Sequence, residues 1–230
     1  MLYKKITYSD NTVIAIWKTN ETVSELREIF PNYGKNLPDF GKTEKRQKEC
    51  LAARILVENV CGTDKSIVYN ENGKPFLSDN SFQISISHTA DYVALIAHPT
   101  REVGIDIEKN GEKVQRVKER FLGAEELQHI DKQNETAHLL LHWCAKETMY
   151  KMLNRTNVDF AKDLRILPFS PKENGVLSCH CGLEPVDNCH CGLDPQSPVS
   201  ICHCGLDPQS PEYTLSYSVE KDFTMVWGIK

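Results

Sequence analysis

Two acidic residues stand two positions apart in the segment REVGIDIEKN, at Asp106 and Glu108. Because side chains alternate along a β-strand, Gly104, Asp106 and Glu108 would share one face and the apolar residues between them the other. Neighbouring carboxylates repel each other unless a cation or a proton intervenes, so this pair suits an oxygen-preferring ion such as Mg²⁺. Gly104 would leave space for a ligand, and the competing interpretation is a solvated sheet face.

A second group of reactive side chains lies in the segment HWCAKETMYK. Trp143, Glu147 and Lys151 are each four residues apart, so they project from one face of a helix. The face could supply a third metal ligand and a cation for phosphate. The alternative is a surface Glu–Lys pair worth ~0.3 kcal/mol beside a partly buried tryptophan.

The segment ISISHT predicts a strand that ends in Ser87 and His88, and the turn NGKP before it carries Lys74. Hydroxyl, imidazole and amine groups can all meet phosphate oxygens. Each residue alone also has a structural explanation, as a strand end, a turn histidine or a solvated turn lysine.

Strands and helices that would position these residues occur in two clusters along the chain. A helix is predicted from about Thr43 to Val60, with Arg46 and Arg54 two turns apart on its polar face, and a second from about Thr136 to Leu153. Predicted strands cover 13–17, 82–87, 92–97, 103–107, 175–178 and 213–219. This order suggests two α+β halves.

The composition limits the classes of function. Of the 230 residues, 40% are hydrophobic and 26% charged, as in a folded protein, and the net charge is −5. An acidic chain offers no global positive field for nucleic acid or anionic lipid, so neither partner is expected. The apolar runs are too short for a membrane span and the N-terminus lacks a signal-peptide pattern, so a cytoplasmic protein is expected.

A cysteine-rich repeat interrupts the second half of the chain. The sequence CHCGLEPVDN at 179 is followed by CHCGLDPQSP at 189 and again at 202. Its prolines and lack of periodicity predict a loop insertion over 179–211, between two strands. A zinc-binding module is the alternative, although C-H-C places three ligands on consecutive residues, which cannot easily close one tetrahedron.

The joint order of the motifs is more specific than any one of them. The series GKP, S-x-SH, GIDIE, RFLGAEE and W-x-x-KE-x-x-x-K resembles the 4'-phosphopantetheinyl transferase superfamily, in particular the larger single-chain type that activates peptide synthetases. The resemblance implies an α+β fold of two similar halves related by pseudo-twofold symmetry. These halves would be 1–101 and 102–230, the second carrying the insertion.

The resemblance also implies a reaction. The 4'-phosphopantetheine group of coenzyme A would pass to a serine of an acyl or peptidyl carrier protein, with Mg²⁺ as cofactor and release of adenosine 3',5'-bisphosphate; the enzyme would be a monomer. By position the implied magnesium ligands are Asp106, Glu108 and Glu147, the pyrophosphate lysine is Lys151, and the coenzyme A contacts are Arg46, Lys74, Ser87 and His88. Glu126 matches an acid/base carboxylate, with adjacent Glu125 as the alternative in register. Arg54 competes with Arg46 for its role. The group that takes the serine proton stays open among Glu147, Glu126 and a metal-bound water.

The chain departs from the family pattern after Lys151, where a Gly-rich turn is usual and this sequence has MLNRTNVDF. Asn154 and Asn157 are the expected turn residues in its place, because asparagine tolerates left-handed backbone. A second possibility is a protein that binds coenzyme A or a carrier without catalysis. The presence of all three implied metal carboxylates and of Lys151 favours an enzyme.

Overall fold

The computed structural model describes residues 1–30, 43–182 and 212–230. The strands are β1 (Leu2–Thr7), β2 (Val13–Lys18), β3 (Ile67–Tyr69), β4 (Pro75–Leu77), β5 (Gln83–Thr89), β6 (Tyr92–His98), β7 (Val103–Lys109), β8 (Leu164–Ile166), β9 (Asn174–Cys181), β10 (Glu212–Val219) and β11 (Phe223–Ile229). The α-helices are α1 (Val23–Ile29), α2 (Glu44–Cys61), α3 (Ala124–Gln128) and α4 (Glu135–Leu153), and a 3₁₀ helix spans Glu112–Arg120. No helix within these ranges is long and apolar enough to cross a membrane.

The strands form two larger antiparallel sheets and one hairpin. The first sheet has the order β1-β2-β6-β5, the second has the order β7-β11-β10-β9-β8, and β3 pairs with β4. Helix α2 packs on the first sheet, where Leu51 and Leu56 join its buried cluster, and α4 packs on the second through Met149 and Met152. The predicted α+β class is confirmed.

Local signals account for the bounds of the predicted helices. Helix α2 begins after Thr43, whose hydroxyl accepts a hydrogen bond from Arg46 N, and it ends at Gly62 with a φ of 99°. The predicted helix from about Thr43 to Val60 agrees with it to within about one residue. The second predicted helix, from about Thr136 to Leu153, agrees with α4 to within one residue.

The two sheets meet where β5 runs beside β7. These strands belong to different sheets, so side-chain hydroxyls of β5 take the place of a backbone ladder. Three backbone N–H groups of β7 donate hydrogen bonds to these hydroxyls: Ile105 N to Ser85 Oγ (3.2 Å), Ile107 N to Ser87 Oγ (3.4 Å) and Lys109 N to Thr89 Oγ1 (2.9 Å). This contact brings the end of β5 against the acidic residues of β7.

Gly104 makes room for a helix and not for a ligand, contrary to the sequence-based expectation. A Cβ atom added there would come within 2.6 Å of both Thr148 O and Met152 Cγ. Helix α4 therefore lies directly on β7. The close approach brings the polar face of α4 to the edge where β7 carries its carboxylates.

Strand β9 continues to Cys181, three residues beyond the predicted strand end at Ser178. Cys179 and Cys181 are buried and pair with β8 and β10, which places the first Cys-His-Cys unit inside the second sheet. Burial raises the pKa of the Cys179 thiol, which opposes a zinc-binding thiolate. The other two repeats of the predicted insertion lie outside the described residues.

Candidate active site

Asp106 lies at the centre of the site and is 5% exposed. Its Oδ1 accepts hydrogen bonds from Ser87 Oγ at 2.8 Å and from Lys151 Nζ at 2.7 Å. Its Oδ2 is fully buried and has no hydrogen-bond partner of standard geometry among the described residues, although the buried Cys144 thiol lies close enough for Asp106 to raise the pKa of that thiol. An unpartnered carboxylate oxygen in a buried position is costly unless a further cation or donor meets it.

Glu108 follows on the same strand and is held at both oxygens. Thr89 Oγ1 donates to Oε2 at 3.1 Å, and Trp143 Nε1 donates to Oε1 at 3.2 Å. Burial raises the pKa of this carboxyl, and the nearby Asp106 raises it further. The two hydrogen bonds thus hold the Glu108 carboxylate near Asp106, although the two negative charges repel each other.

Glu147 lies one helical turn after Trp143, on α4. Burial raises its pKa to about 7, with Asp106 and Glu108 adding to the rise and Lys151 opposing it. Its carboxylate accepts no hydrogen bond from any described residue. The predicted helix face is confirmed at its two ends, because Trp143 contacts Glu108 and Lys151 contacts Asp106.

The chemistry of these three carboxylates fits a hard divalent cation. They offer oxygen donors, which Mg²⁺ prefers, and Asp106 Oδ2 is an unused acceptor. In the arrangement described, Lys151 is the cation that neutralises Asp106. Within residues 1–30, 43–182 and 212–230, no group of three or more His, Cys, Asp or Glu side chains lies in an arrangement that could hold a metal ion as it stands. A magnesium ion at this place is therefore a proposal based on donor chemistry.

A cleft of about 220 Å³ lies beside the carboxylates and is lined from both halves of the chain. Lys74 and Lys151 both face it, together with Glu147. The Lys74 ammonium pairs with Glu102, and Lys151 Nζ also donates to Ile105 O at 2.9 Å. Two held ammonium groups at one cleft suit a phosphate-bearing ligand. Glu147 also lines a second cavity of about 660 Å³, so it lies between the two.

His88 connects β5 to helix α2. Its Nε2 lies 3.1 Å from Arg46 Nη1, and its Nδ1 lies 3.4 Å from Glu49 Oε1. Because arginine can only donate, Nε2 is the acceptor and Nδ1 carries the proton. Burial lowers the pKa of His88, as does Arg46. A neutral His88 thus helps to hold Arg46, whereas Arg54 is buried and bonds Cys50 O.

Glu126 lies away from this group, in a buried ion pair with Lys146. Lys146 Nζ lies 2.6 Å from its Oε2, and the N–H groups of Gly123 and Ile166 donate to its two oxygens at 2.9 Å each. Lys146 is fully buried, and it also donates to the carbonyl oxygens of Phe121 and Phe160. Both carboxylate oxygens of Glu126 thus accept hydrogen bonds from groups of the protein itself.

Sequence reasoning missed two side chains that orient the site, Glu49 and Thr89. Glu49 is three residues after Arg46, a spacing that places both on one helix face, and the two form an ion pair of 3.3 Å. Thr89 is the next residue after Ser87 on the same strand face. Both signals are short and common, and only the packing of the two sheets gives them meaning.

Comparison with known proteins gives an independent result. The family model of the 4'-phosphopantetheinyl transferase superfamily matches residues 102–218 of the 230. The matched region contains Asp106, Glu108, Glu147 and Lys151, but not the residues contributed by β5 and α2. More than half of the chain is covered by this match.

Curated relatives carry names of the same kind. The chain is 29% identical over 130 residues to the L-aminoadipate-semialdehyde dehydrogenase-phosphopantetheinyl transferase of Xenopus laevis, covering 46% of this chain and 43% of the relative. It is 36% identical over 64 residues to the 4'-phosphopantetheinyl transferase AcpT of Escherichia coli O157:H7, covering 27% and 33%. It is 33% identical over 69 residues to a phosphopantetheinyl transferase of a Thraustochytrium strain, covering 26% and 24%. The matches thus span less than half the length of these relatives.

Proposed function

The chain belongs to the 4'-phosphopantetheinyl transferase superfamily, and from this premise we propose that it transfers phosphopantetheine to a carrier protein. The donor is coenzyme A, the acceptor is a serine of an acyl or peptidyl carrier protein, and adenosine 3',5'-bisphosphate is released. One observation supports this most strongly: the unpartnered Oδ2 of buried Asp106 beside two further carboxylates, at a cleft that two lysines line.

The three carboxylates are the proposed magnesium ligands. Asp106, Glu108 and Glu147 would hold Mg²⁺, which when bound stabilises negative charge that develops on phosphate oxygens. Ser87 and Thr89 orient Asp106 and Glu108 through their hydroxyl groups. Such oriented ligands lose less freedom when a cation binds.

The cationic side chains are the proposed contacts of coenzyme A. Lys151 and Lys74 face the cleft and can approach the pyrophosphate there, while Arg46 offers further N–H donors on the side of α2. His88 would contact coenzyme A only by giving up its bond to Arg46 or to Glu49, so we propose that it mainly holds Arg46. Ser87 reaches coenzyme A only if it gives up its hydrogen bond to Asp106. We therefore assign its main role to positioning that carboxylate.

Glu147 is the proposed acceptor of the serine proton. Its carboxylate accepts no hydrogen bond from any described residue and it lines both cavities, so one of its oxygens can meet a serine hydroxyl there. Glu126 is less suited because contacts with His142 and Lys146 lower its pKa despite burial. We propose that Glu126 supports the fold instead of transferring protons.

The pseudo-twofold relation of the halves 1–101 and 102–230 is also a proposal. The first large sheet uses strands from Leu2 to His98 and the second uses strands from Val103 to Ile229, each with one long helix packed on it. This division supports the proposed boundary. A superposition of the two sheets with their helices would test the symmetry.

Intact-mass analysis of purified apo carrier proteins tests the proposed reaction. The carrier is incubated with coenzyme A, Mg²⁺ and the protein, and the expected result is a mass gain of one phosphopantetheine. Glu147→Gln should strongly slow the gain, whereas Glu119→Gln, which alters an exposed carboxylate, should not. Binding of coenzyme A without any mass gain on acyl and peptidyl carriers would favour the non-catalytic alternative.

A further inference from the structure

Helix α4 ends at Leu153. The next residue, Asn154, has left-handed backbone angles, with φ 49° and ψ 43°. Left-handed backbone at a helix end favours glycine or asparagine, so the conformation alone would accept either residue. Asn157 also has a positive φ, of 60°. The backbone angles confirm that both asparagines adopt the left-handed conformation expected of turn residues.

The side chain of Asn154 makes contacts that a glycine cannot make. Its Oδ1 accepts a hydrogen bond from Asn70 Nδ2 at 3.0 Å, and its carbonyl oxygen accepts one from Asn72 Nδ2 at 3.0 Å. Asn72 Nδ2 also lies 3.5 Å from Asn154 Oδ1. These partners are 84 and 82 residues away in the sequence, on the turn between β3 and β4.

That turn is itself well ordered by hydrogen bonds. Asn70 Oδ1 accepts from the backbone N–H groups of Asn72 and Lys74, at 3.0 and 2.9 Å. Asn70 N donates to Lys74 O, and Gly73 N donates to Asn70 O. The turn thus presents the two amide groups, and Lys74, in a fixed arrangement.

The contact joins two walls of the 220 Å³ cleft. One wall is the turn with Lys74, and the other is the end of α4 with Lys151, three residues before Asn154. We propose that Asn154 is a positioning residue that fixes the two lysines relative to each other and so sets the affinity for the phosphates of coenzyme A. We call Asn70, Asn72 and Asn154 the amide clasp; its role rests on the proposed function.

Asn154→Gly tests the clasp, because it keeps the left-handed backbone and removes the Oδ1 acceptor. We expect the Kd for coenzyme A, measured by titration calorimetry, to rise about five-fold, as for the loss of one or two exposed hydrogen bonds. The KM for coenzyme A should rise similarly while kcat changes little. The thermal midpoint should stay near the wild-type value, which separates positioning from a structural role.

Two further variants sharpen this test. Asn157→Gly is the matched control, since Asn157 is also left-handed but makes no hydrogen bond to the turn among the described residues, and it should leave the Kd unchanged. Asn72→Ala removes the donor to the Asn154 carbonyl oxygen, a hydrogen bond that Asn154→Gly retains, so it should raise the Kd as well. Because the two variants remove mainly different hydrogen bonds of the clasp, the double variant should bind coenzyme A more weakly than either single variant.

The outcomes distinguish the inference from the function on which it rests. A wild-type protein that binds coenzyme A, together with an Asn154→Gly variant of equal Kd and KM, would overturn the clasp alone. An Asn72→Ala variant that binds coenzyme A with the wild-type Kd would overturn it as well. A wild-type protein that does not bind coenzyme A would overturn the proposed function and the clasp together.

Discussion

Two ionic clusters flank helix α4 and differ in how far their carboxylates are satisfied. In the first, Glu126 accepts hydrogen bonds from Lys146 and two backbone N–H groups. In the second, Asp106 keeps one oxygen without a partner and Glu147 accepts no hydrogen bond within the described residues. Lys146 and Glu147 are neighbours in the sequence, so adjacent positions of one helix serve opposite kinds of site.

The pKa directions follow this difference. Burial would raise the pKa of Glu126, but the contacts with His142 and Lys146 lower it below its ordinary value. Burial raises the pKa of Glu147 to about 7, and there Asp106 and Glu108 act in the same direction. A buried carboxylate that the protein satisfies is part of the fold, whereas one that the protein leaves unsatisfied is suited to a ligand.

The largest expected effect is that of Asp106→Asn on transfer. Losing one of three carboxylates weakens the proposed cation site and its charge stabilisation, so the transfer rate should fall about 10³-fold. The free energy of unfolding should change little, because the substitution also removes the repulsion between Asp106 and the carboxylates of Glu108 and Glu147. Rates and thermal midpoints of the purified variant check both statements. Asp222→Asn, at an exposed aspartate, is the control, and an Asp106→Asn variant that transfers normally would contradict the account.

Lys146→Met should do the reverse, destabilising the fold with little effect on chemistry. The variant leaves the Glu126 charge buried without its cation, which costs about 3 kcal/mol of unfolding free energy. Chemical denaturation measures this loss, and adding Glu126→Gln should recover most of it. If Lys146→Met folded as stably as the wild type but lost transfer, the assignment of the two clusters would be reversed.

Lys151→Met separates a phosphate contact from a structural ion pair. We expect turnover to fall about 10²-fold, because an ammonium group near the developing charge is lost. The unfolding free energy should drop by about 2 kcal/mol, less than for Lys146→Met, because Lys151 is partly exposed and Ser87 still donates to Asp106. Lys162→Met, at an exposed lysine, is the control. Collapse of the thermal midpoint with unchanged activity per folded molecule would make Lys151 structural.

Two deletions test the cysteine repeats, one that keeps the buried first unit at 179–181 and one that removes it. Replacing 183–211 by a short glycine-containing turn should leave transfer and stability near wild type, because loop closure depends only weakly on length. Extending the deletion to 179–211 removes buried Cys179 and Cys181, and it should cost about 2 kcal/mol more. Denaturation of both proteins measures the difference. Stoichiometric zinc in the parent, with an unfolded or inactive shorter deletion, would instead support the metal module.

The smallest effect concerns pH and His138, beside the Glu126 cluster. Burial lowers the pKa of His138 to about 4, and His142 lowers it too. In the unfolded state the pKa of a histidine is about 6.5. Between pH 6.5 and pH 4 the unfolded state therefore binds more protons than the folded state, and the free energy of unfolding falls as pH falls through this range. His138→Gln should therefore show a smaller fall in thermal midpoint from pH 7 to 5. An equal fall in both proteins would exclude His138 as a contributor.

Much of the site could be predicted because its residues follow simple periods. The strand period placed Asp106 and Glu108 side by side, and the helical period placed Trp143, Glu147 and Lys151 on one face. These rules depend only on local geometry. What they could not show is which elements meet, so the hydrogen bonds from Trp143 to Glu108 and from Lys151 to Asp106 needed the structure.

What the sequence did not show has physical reasons of the same kind. The buried partner of Glu126, Lys146, is 20 residues away, so the ion pair on which we base a structural role for Glu126 became visible only in the structure. Gly104 suggested space for a ligand, although the space is filled by α4. The edge strand β1 was missed, as was β11, which lies between β7 and β10.

The central claim is that Asp106, Glu108 and Glu147 form a site for a divalent cation, whereas the Glu126 cluster does not. The direct measurement is the thermal midpoint with and without Mg²⁺, because a ligand that binds only the folded state raises it. We predict a rise for the wild type and for Glu126→Gln, and none for Glu147→Gln. No rise in the wild type, or an undiminished rise in Glu147→Gln, would contradict this account.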